Sequence, residues 1–259
     1  MRRSPWIAIA AAAVLGVAAT SATAAPDKPT IVLVHGAFAD GSSWNGVIAD
    51  LQRDGYTVVA PANPLRGIVS DATYVASVVK SVHGPVVLVG HSYGGAVISQ
   101  AGAAPGNVKA LVYVDAFTLD AGETIGALGA KFPAIPLGAA LTAVPLSDGG
   151  QDLYVRPDQF GVVFAPDVPP AAVKLAAAEQ RPISASVFGE QPTAAAWKTI
   201  PSWFIYGSAD QAIAPAELAF FADRAHSKKT VVVPGGSHVT LISHPDAVAA
   251  LIEEAASAP

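Results

Sequence analysis

The run Gly90-His91-Ser92-Tyr93-Gly94 sets a serine between small residues, directly behind the apolar stretch 86–89 and ahead of Gly95-Ala96-Val97-Ile98. A serine on a sharp strand-to-helix turn has a strained backbone and an exposed hydroxyl, and small neighbours let other chain segments pass close to it. The same turn puts Ser92 at a helix N-terminus, where free N–H groups and the helix dipole favour developing negative charge. The chemistry that suits this is attack by the hydroxyl on an electrophilic carbon, once a base takes its proton.

The chain has six histidines. His238, in Val233-Pro234-Gly235-Gly236-Ser237-His238, follows the last expected strand and is the candidate base. His35 and His91 adjoin strand-end turns and are expected to bond to backbone, while His83, His226 and His244 fall near helix ends. A base of this kind needs a carboxylate to set its tautomer and stabilise the imidazolium. Asp210, in Gly207-Ser208-Ala209-Asp210, is the first candidate, and Asp115, at the end of the preceding strand, is the alternative acid. A tetrahedral intermediate also needs donors for its oxyanion. The backbone amides of Tyr93 and of Ala37, in His35-Gly36-Ala37-Phe38, are the expected pair.

These groups converge only if the strands that carry them run the same way. β-branched apolar runs at 30–34, 57–60, 86–90, 109–114, 202–206 and 230–233 alternate with helix-like stretches at 43–54, 71–82, 92–103, 215–225 and 245–256. That alternation predicts βαβ units and a parallel sheet covered on both faces by helices. Segment 118–196 breaks the rhythm. It is rich in Pro and Gly, and only 171–180 reads as a helix, so it is expected to form a lid over the site rather than a plain loop. Phe132, Phe160 and Phe164 from this insertion, with Phe38 and Trp44 from the first loop, are the candidate lining of an apolar substrate pocket.

Residues 1–24 carry Arg2 and Arg3, an Ala-rich apolar run and small residues at Ala22 and Ala24, the layout of a cleaved secretory signal peptide. Export to the periplasm or beyond follows as an expectation, with residues 25–259 as one domain and no lasting membrane anchor. Removing the two arginines takes the formal charge from −5 to −7. With no clustered Lys/Arg, nucleic acid is not an expected partner. The chain has no cysteine, which excludes thiol catalysis and thiolate metal sites.

Four stretches, HGAFADGSSW (35–44), GHSYGG (90–95), D-x-x-I-x-P (210–215) and GGSHVTLISHP (235–245), together resemble the lidded α/β hydrolases that include plant methyl esterases, hydroxynitrile lyases and bacterial carboxylesterases. The resemblance implies the α/β-hydrolase fold, with a six-stranded, mostly parallel sheet that begins at that fold's third strand. It also implies the chain order Ser92, Asp210, His238. The lyases of the family carry Thr at the place of Gly36 and Lys at the place of Val239, so lyase activity is disfavoured. Dehalogenases and epoxide hydrolases of the fold use Asp where this chain has Ser92. The expected activity is carboxylesterase-type cleavage of a small-molecule ester through an acyl-enzyme, without metal or cofactor. C–C cleavage or perhydrolysis on the same triad, and a non-catalytic ligand-binding homologue, are the alternatives.

Overall fold

The computed structural model describes residues 28–259; the leader expected at 1–24 lies outside them. The elements follow in chain order: β1 (Thr30–Val34), α1 (Asn45–Arg53), β2 (Val58–Val59), α2 (Ile68–Ser81), β3 (Val86–His91), α3 (Tyr93–Ala101) and β4 (Val108–Val114). Then comes the insertion, with α4 (Ile125–Gly129), α5 (Leu137–Ala140), β5 (Leu141–Pro145), β6 (Gln151–Val155), α6 (Pro157–Gln159), α7 (Pro170–Glu179) and β7 (Ile183–Ser184). The chain closes with β8 (Ser202–Gly207), α8 (Pro215–Arg224), β9 (Thr230–Val233), α9 (Thr240–Ser243) and α10 (Pro245–Ser257).

The main sheet has the order β2-β1-β3-β4-β8-β9, and every neighbouring pair is parallel. Its central strands are apolar at nearly every position because helices cover both faces; all six residues of β3 are buried. α8 and α10 each begin on a proline at the first helical position, where no N–H is needed. The strand order reverses between β1 and β3, since the chain goes from β1 outward to β2 and from β3 outward to β4 on the other side. Parallel strands leave a crevice at their carboxyl ends at such a switch point. The His35–Phe38 loop and Ser92 are the two segments that flank it.

α2 begins at Ile68, three residues before its expected start, because its first amides are capped from a distance. The Glu190 carboxylate of the insertion accepts from Ile68 N and Val69 N at 2.6 and 3.1 Å. The expected helix at 43–54 opens instead as a 3-10 turn, Gly41–Trp44, whose N-cap Asp40 accepts from Ser42 N. The larger difference lies in the insertion, where β5, β6 and β7 form a second, antiparallel sheet. Short strands largely exposed on β5 and ended by Pro145 lack the continuous apolar signature that marks the central strands. Among the described residues no helix is long and apolar enough to cross a membrane.

Gly94 lets α3 approach the end of β1, since a Cβ there would lie 2.4 Å from the Val34 carbonyl oxygen. A backbone oxygen cannot retreat as a flexible side chain can. Gly94→Ala is therefore expected to cost about 1–3 kcal/mol and lower the melting temperature. Gly129→Ala, where nothing lies within 4 Å, serves as the control and should melt like the parent.

Candidate active site

Three of the strands end in a residue forced to positive φ: Phe38 (59°) beyond β1, Ser92 (52°) beyond β3 and Asp115 (46°) beyond β4. Each such non-glycine conformation costs on the order of 1–3 kcal/mol and persists only where the surroundings over-determine it. At Ser92 they do. Its N–H donates to the Val114 carbonyl at 3.1 Å, and its carbonyl accepts from Gly95 N at 2.9 Å and Phe117 N at 3.2 Å. The turn leaves Ser92 6% exposed, with its hydroxyl 2.8 Å from His238 Nε2.

His238 reaches this position from the loop after β9. Its Nδ1 lies 2.7 Å from Asp210 Oδ2, so the ring bridges the hydroxyl and the carboxylate. Asp210 is itself oriented by two amides, Ala212 N at 2.7 Å and Ile213 N at 2.9 Å, both on Oδ1. Ser92, His238 and Asp210 are brought together from three distant stretches of chain, and each is nearly buried.

Asp115, the alternative acid, faces different partners. Oδ1 accepts from Gly207 N at 2.8 Å, and Oδ2 meets Thr240 N at 3.1 Å and the Thr240 hydroxyl at 2.5 Å. It thus ties β8, whose end leads to Asp210, to the segment behind His238. Burial, then the nearby charge of Asp210, pushes its carboxyl well above the usual carboxylate range. Thr240 carried no signal in the sequence, because its hydroxyl matters only once β4 and α9 meet.

His91 and His35 bond to backbone, as expected. His91 donates from Nε2 to the His238 carbonyl at 2.9 Å, and burial lowers its basicity, so a neutral ring steadies the His238 backbone. In His35, Nε2 accepts from Asn63 N at 2.9 Å, which leaves Nδ1 to donate to the Gly36 carbonyl. This ring also stays below its ordinary range through burial. It fixes the loop that carries Ala37. Gly36 lies so close to the nucleophile that a Cβ there would be 2.6 Å from Ser92 Cβ. Among the described residues, neither Ala37 N–H nor Tyr93 N–H donates to another backbone group. Both are therefore free to serve an anion.

A cavity of about 420 Å³ borders the site. Phe38, Phe160, Phe164, Val168, Val239 and Ile242 form much of its wall, with His91 beside them. The π-helical segment Phe160–Phe164 sets two of these rings side by side, their centroids 5.0 Å apart. Phe164 also packs edge-on to Phe38 at 5.9 Å and to His238 at 5.1 Å. Two of the five expected pocket aromatics belong elsewhere. Trp44 is fully buried behind His91, its ring perpendicular to the imidazole, and Phe132 packs on Phe220 of α8. Trp44 closes the 3-10 turn that leads into α1, so its side chain goes to the core rather than to the crevice.

A model of the alpha/beta hydrolase family matches residues 31–251. The chain belongs to that family. Among relatives of this alpha/beta hydrolase is a carbendazim hydrolyzing esterase from Nocardioides sp. (strain SG-4G), 34% identical over 111 residues. That match covers 38% of this chain and spans 46% of the relative's length. Over 89% of the chain and 98% of the other, the structure resembles a pyrethroid hydrolase from Sphingobium faniae JZ-2, with a TM-score of 0.70 and 26% identity. A methylesterase from Arabidopsis shares the fold over 88% of this chain and 99% of its own, with a TM-score of 0.74 at 17% identity.

Glu217, in the first turn of α8, is 3% exposed, and its Oε1 has no partner among the described residues. Burial pushes its carboxyl up to about 7, with Asp210 adding to the rise and Arg224 opposing it. A carboxyl raised in the folded state stabilises the protein below the unfolded value and loses that contribution as pH climbs. Folding stability attributable to Glu217 should thus fall between pH 4.5 and about 7. Glu217→Gln should melt like the parent near pH 4.5 and gain on the order of 3 kcal/mol at pH 8. Melting curves that stay parallel across this range would contradict the assignment.

Proposed function

We propose that this alpha/beta hydrolase is a serine esterase acting on small, largely apolar carboxylic esters through an acyl-enzyme. The observation that carries the reading is the single imidazole of His238 in hydrogen-bonding distance of both Ser92 Oγ and Asp210 Oδ2. Ser92 Oγ attacks the ester carbonyl while His238 Nε2 takes the hydroxyl proton, and Asp210 stabilises the imidazolium through Nδ1–H. The amides of Ala37 and Tyr93 receive the oxyanion, each donor contributing about 3 kcal/mol at the transition state. His238 then returns the proton to the departing alcohol, and a water repeats the attack on the acyl-enzyme.

The site's surroundings support an apolar substrate. The cavity, which His91 and Val239 join to the triad, is walled largely by phenylalanines and aliphatic side chains; Asp40, Asn45, Glu179 and Gln180 are among its polar members, and no Lys or Arg lines it. Val239 stands next to His238 with an apolar side chain on that wall. The insertion supplies Phe160, Phe164 and Val168 to the same wall, and we assign it as the lid that sets the acyl and alcohol space. The signal-like residues 1–24 support export of the enzyme, which cell fractionation would test.

Hydrolysis of p-nitrophenyl acetate is the direct assay. Ser92→Ala should lose on the order of 10⁴-fold or more in kcat and all labelling by a fluorophosphonate. Asp210→Asn, which leaves His238 without its carboxylate, should lose about 10³–10⁴-fold while remaining folded. Turnover by Ser92→Ala equal to that of the parent would end the proposal.

A further inference from the structure

The insertion is tied to both loops that bear the reacting groups. Phe38 N–H, one residue past the oxyanion amide of Ala37, donates to the Arg181 carbonyl at 3.0 Å. Ser237 N–H, one residue before the base, donates to Asp167 Oδ2 at 3.0 Å. Asp167 lies in the short link between the π-helical segment and α7, beside Val168 of the cavity wall. Its second oxygen, Oδ1, is buried and has no partner among the described residues.

Among the described residues, the other side-chain and backbone contacts of residues 235–237 outside their own turn come from the turn after β8, while His91 holds the His238 carbonyl itself. Gly235 N donates to Ser208 Oγ at 2.8 Å, and the Gly236 carbonyl accepts from Ala209 N at 3.0 Å. Both contacts come from the turn after β8, which also carries Asp210. Asp167 is the contact that reaches the loop from the opposite side. A carboxylate bonded to an amide is stronger than a neutral pair.

On the hydrolase reading given above, we propose that Asp167 is a positioning residue, whose carboxylate holds the Ser237 backbone so that His238 stays in reach of both Ser92 and Asp210 while the lid is seated. Because Asp167 belongs to the lid, displacing the lid releases the base's loop. Closure over the substrate and competence of the base are thereby joined. A shift of about 1 Å in a reacting group can cost 10²-fold in rate, so one backbone contact suffices to matter.

The test compares four proteins: the parent, Asp167→Ala, Asp167→Leu, which fills the space without an acceptor, and Asp167→Asn, which keeps an oxygen for Ser237 N–H. With p-nitrophenyl acetate, the Ala and Leu variants should lose at least about tenfold in kcat with KM within about threefold, while Asn stays within about threefold of the parent in both. The low-field proton resonance of His238 Nδ1–H should broaden or vanish in the Ala and Leu variants and persist with Asn. Parental kcat in whichever of Ala and Leu folds, a loss carried by KM, or Asn as poor as the other two would overturn the assignment. Failure of the esterase reading shows separately, as Ser92→Ala matching the parent, and the proton resonance still reports on the clamp in that case.

Discussion

Parallel strands all end on the same edge of their sheet, and that constraint organises this protein. Six strands in one direction mean that the turns after β1, β3, β4, β8 and β9 open on one side. The His35–Phe38 loop, Ser92, Asp115, Asp210 and His238 occupy those five turns in that order. No single loop could hold them. What makes the crevice narrow enough is the absence of side chains where backbones meet: Gly94 lies against the end of β1, and Gly36 lies against Ser92. The strain at Phe38, Ser92 and Asp115 sits at these same turns, supported by rigid strands on one side and buried hydrogen bonds on the other.

The electrostatics around the imidazole follow from how each carboxyl is solvated. Asp210 has two amide donors on one oxygen and the His238 ring on the other. Asp115 and Glu217 lie close enough to feel Asp210, and burial pushes both upward. Three ionised carboxylates in one dry region would repel, and the nearby Arg224 guanidinium offsets this only at Glu217. Arg224 is itself shared, since it bonds to Glu123 and to the Thr118 carbonyl of the insertion.

The readable part of this fold was the part buried on both faces. β1 falls where its apolar run predicts, and β3, β4 and β8 differ by one residue at an end, because burial on two sides leaves an unbroken hydrophobic signature; the edge strand β9, though largely exposed, is also found at its run because all but one of its residues are Val. Ser92, His238 and Asp210, each announced by a strand end, lie in one hydrogen-bonded cluster. The antiparallel sheet of the insertion gave no such signal, with β5 mostly exposed and β7 two residues long. Pocket lining was half readable: Phe160 and Phe164 point to the cavity, while Phe132 is taken by α8. Nothing in one dimension distinguishes those rings, since their directions depend on a π-helical turn and on Phe220. Asp167 and Thr240 were silent for the same reason, as their partners lie 70 and 125 residues away.

The division of labour that results has a physical logic. The sheet edge holds the groups whose mutual distances must be kept to tenths of an ångström, and rigid, doubly covered strands can do that. The insertion holds apolar surface, whose contacts are non-directional and tolerate variation in shape. Among the hydrogen bonds that cross between these parts, one lies beside Ala37 and one beside His238. They are directional contacts made by the same insertion that supplies Phe160, Phe164 and Val168 to the cavity wall. A lid attached only through phenylalanine packing could vary without disturbing the chemistry, whereas one attached through Asp167 and the Arg181 carbonyl carries the geometry of the reacting groups with it.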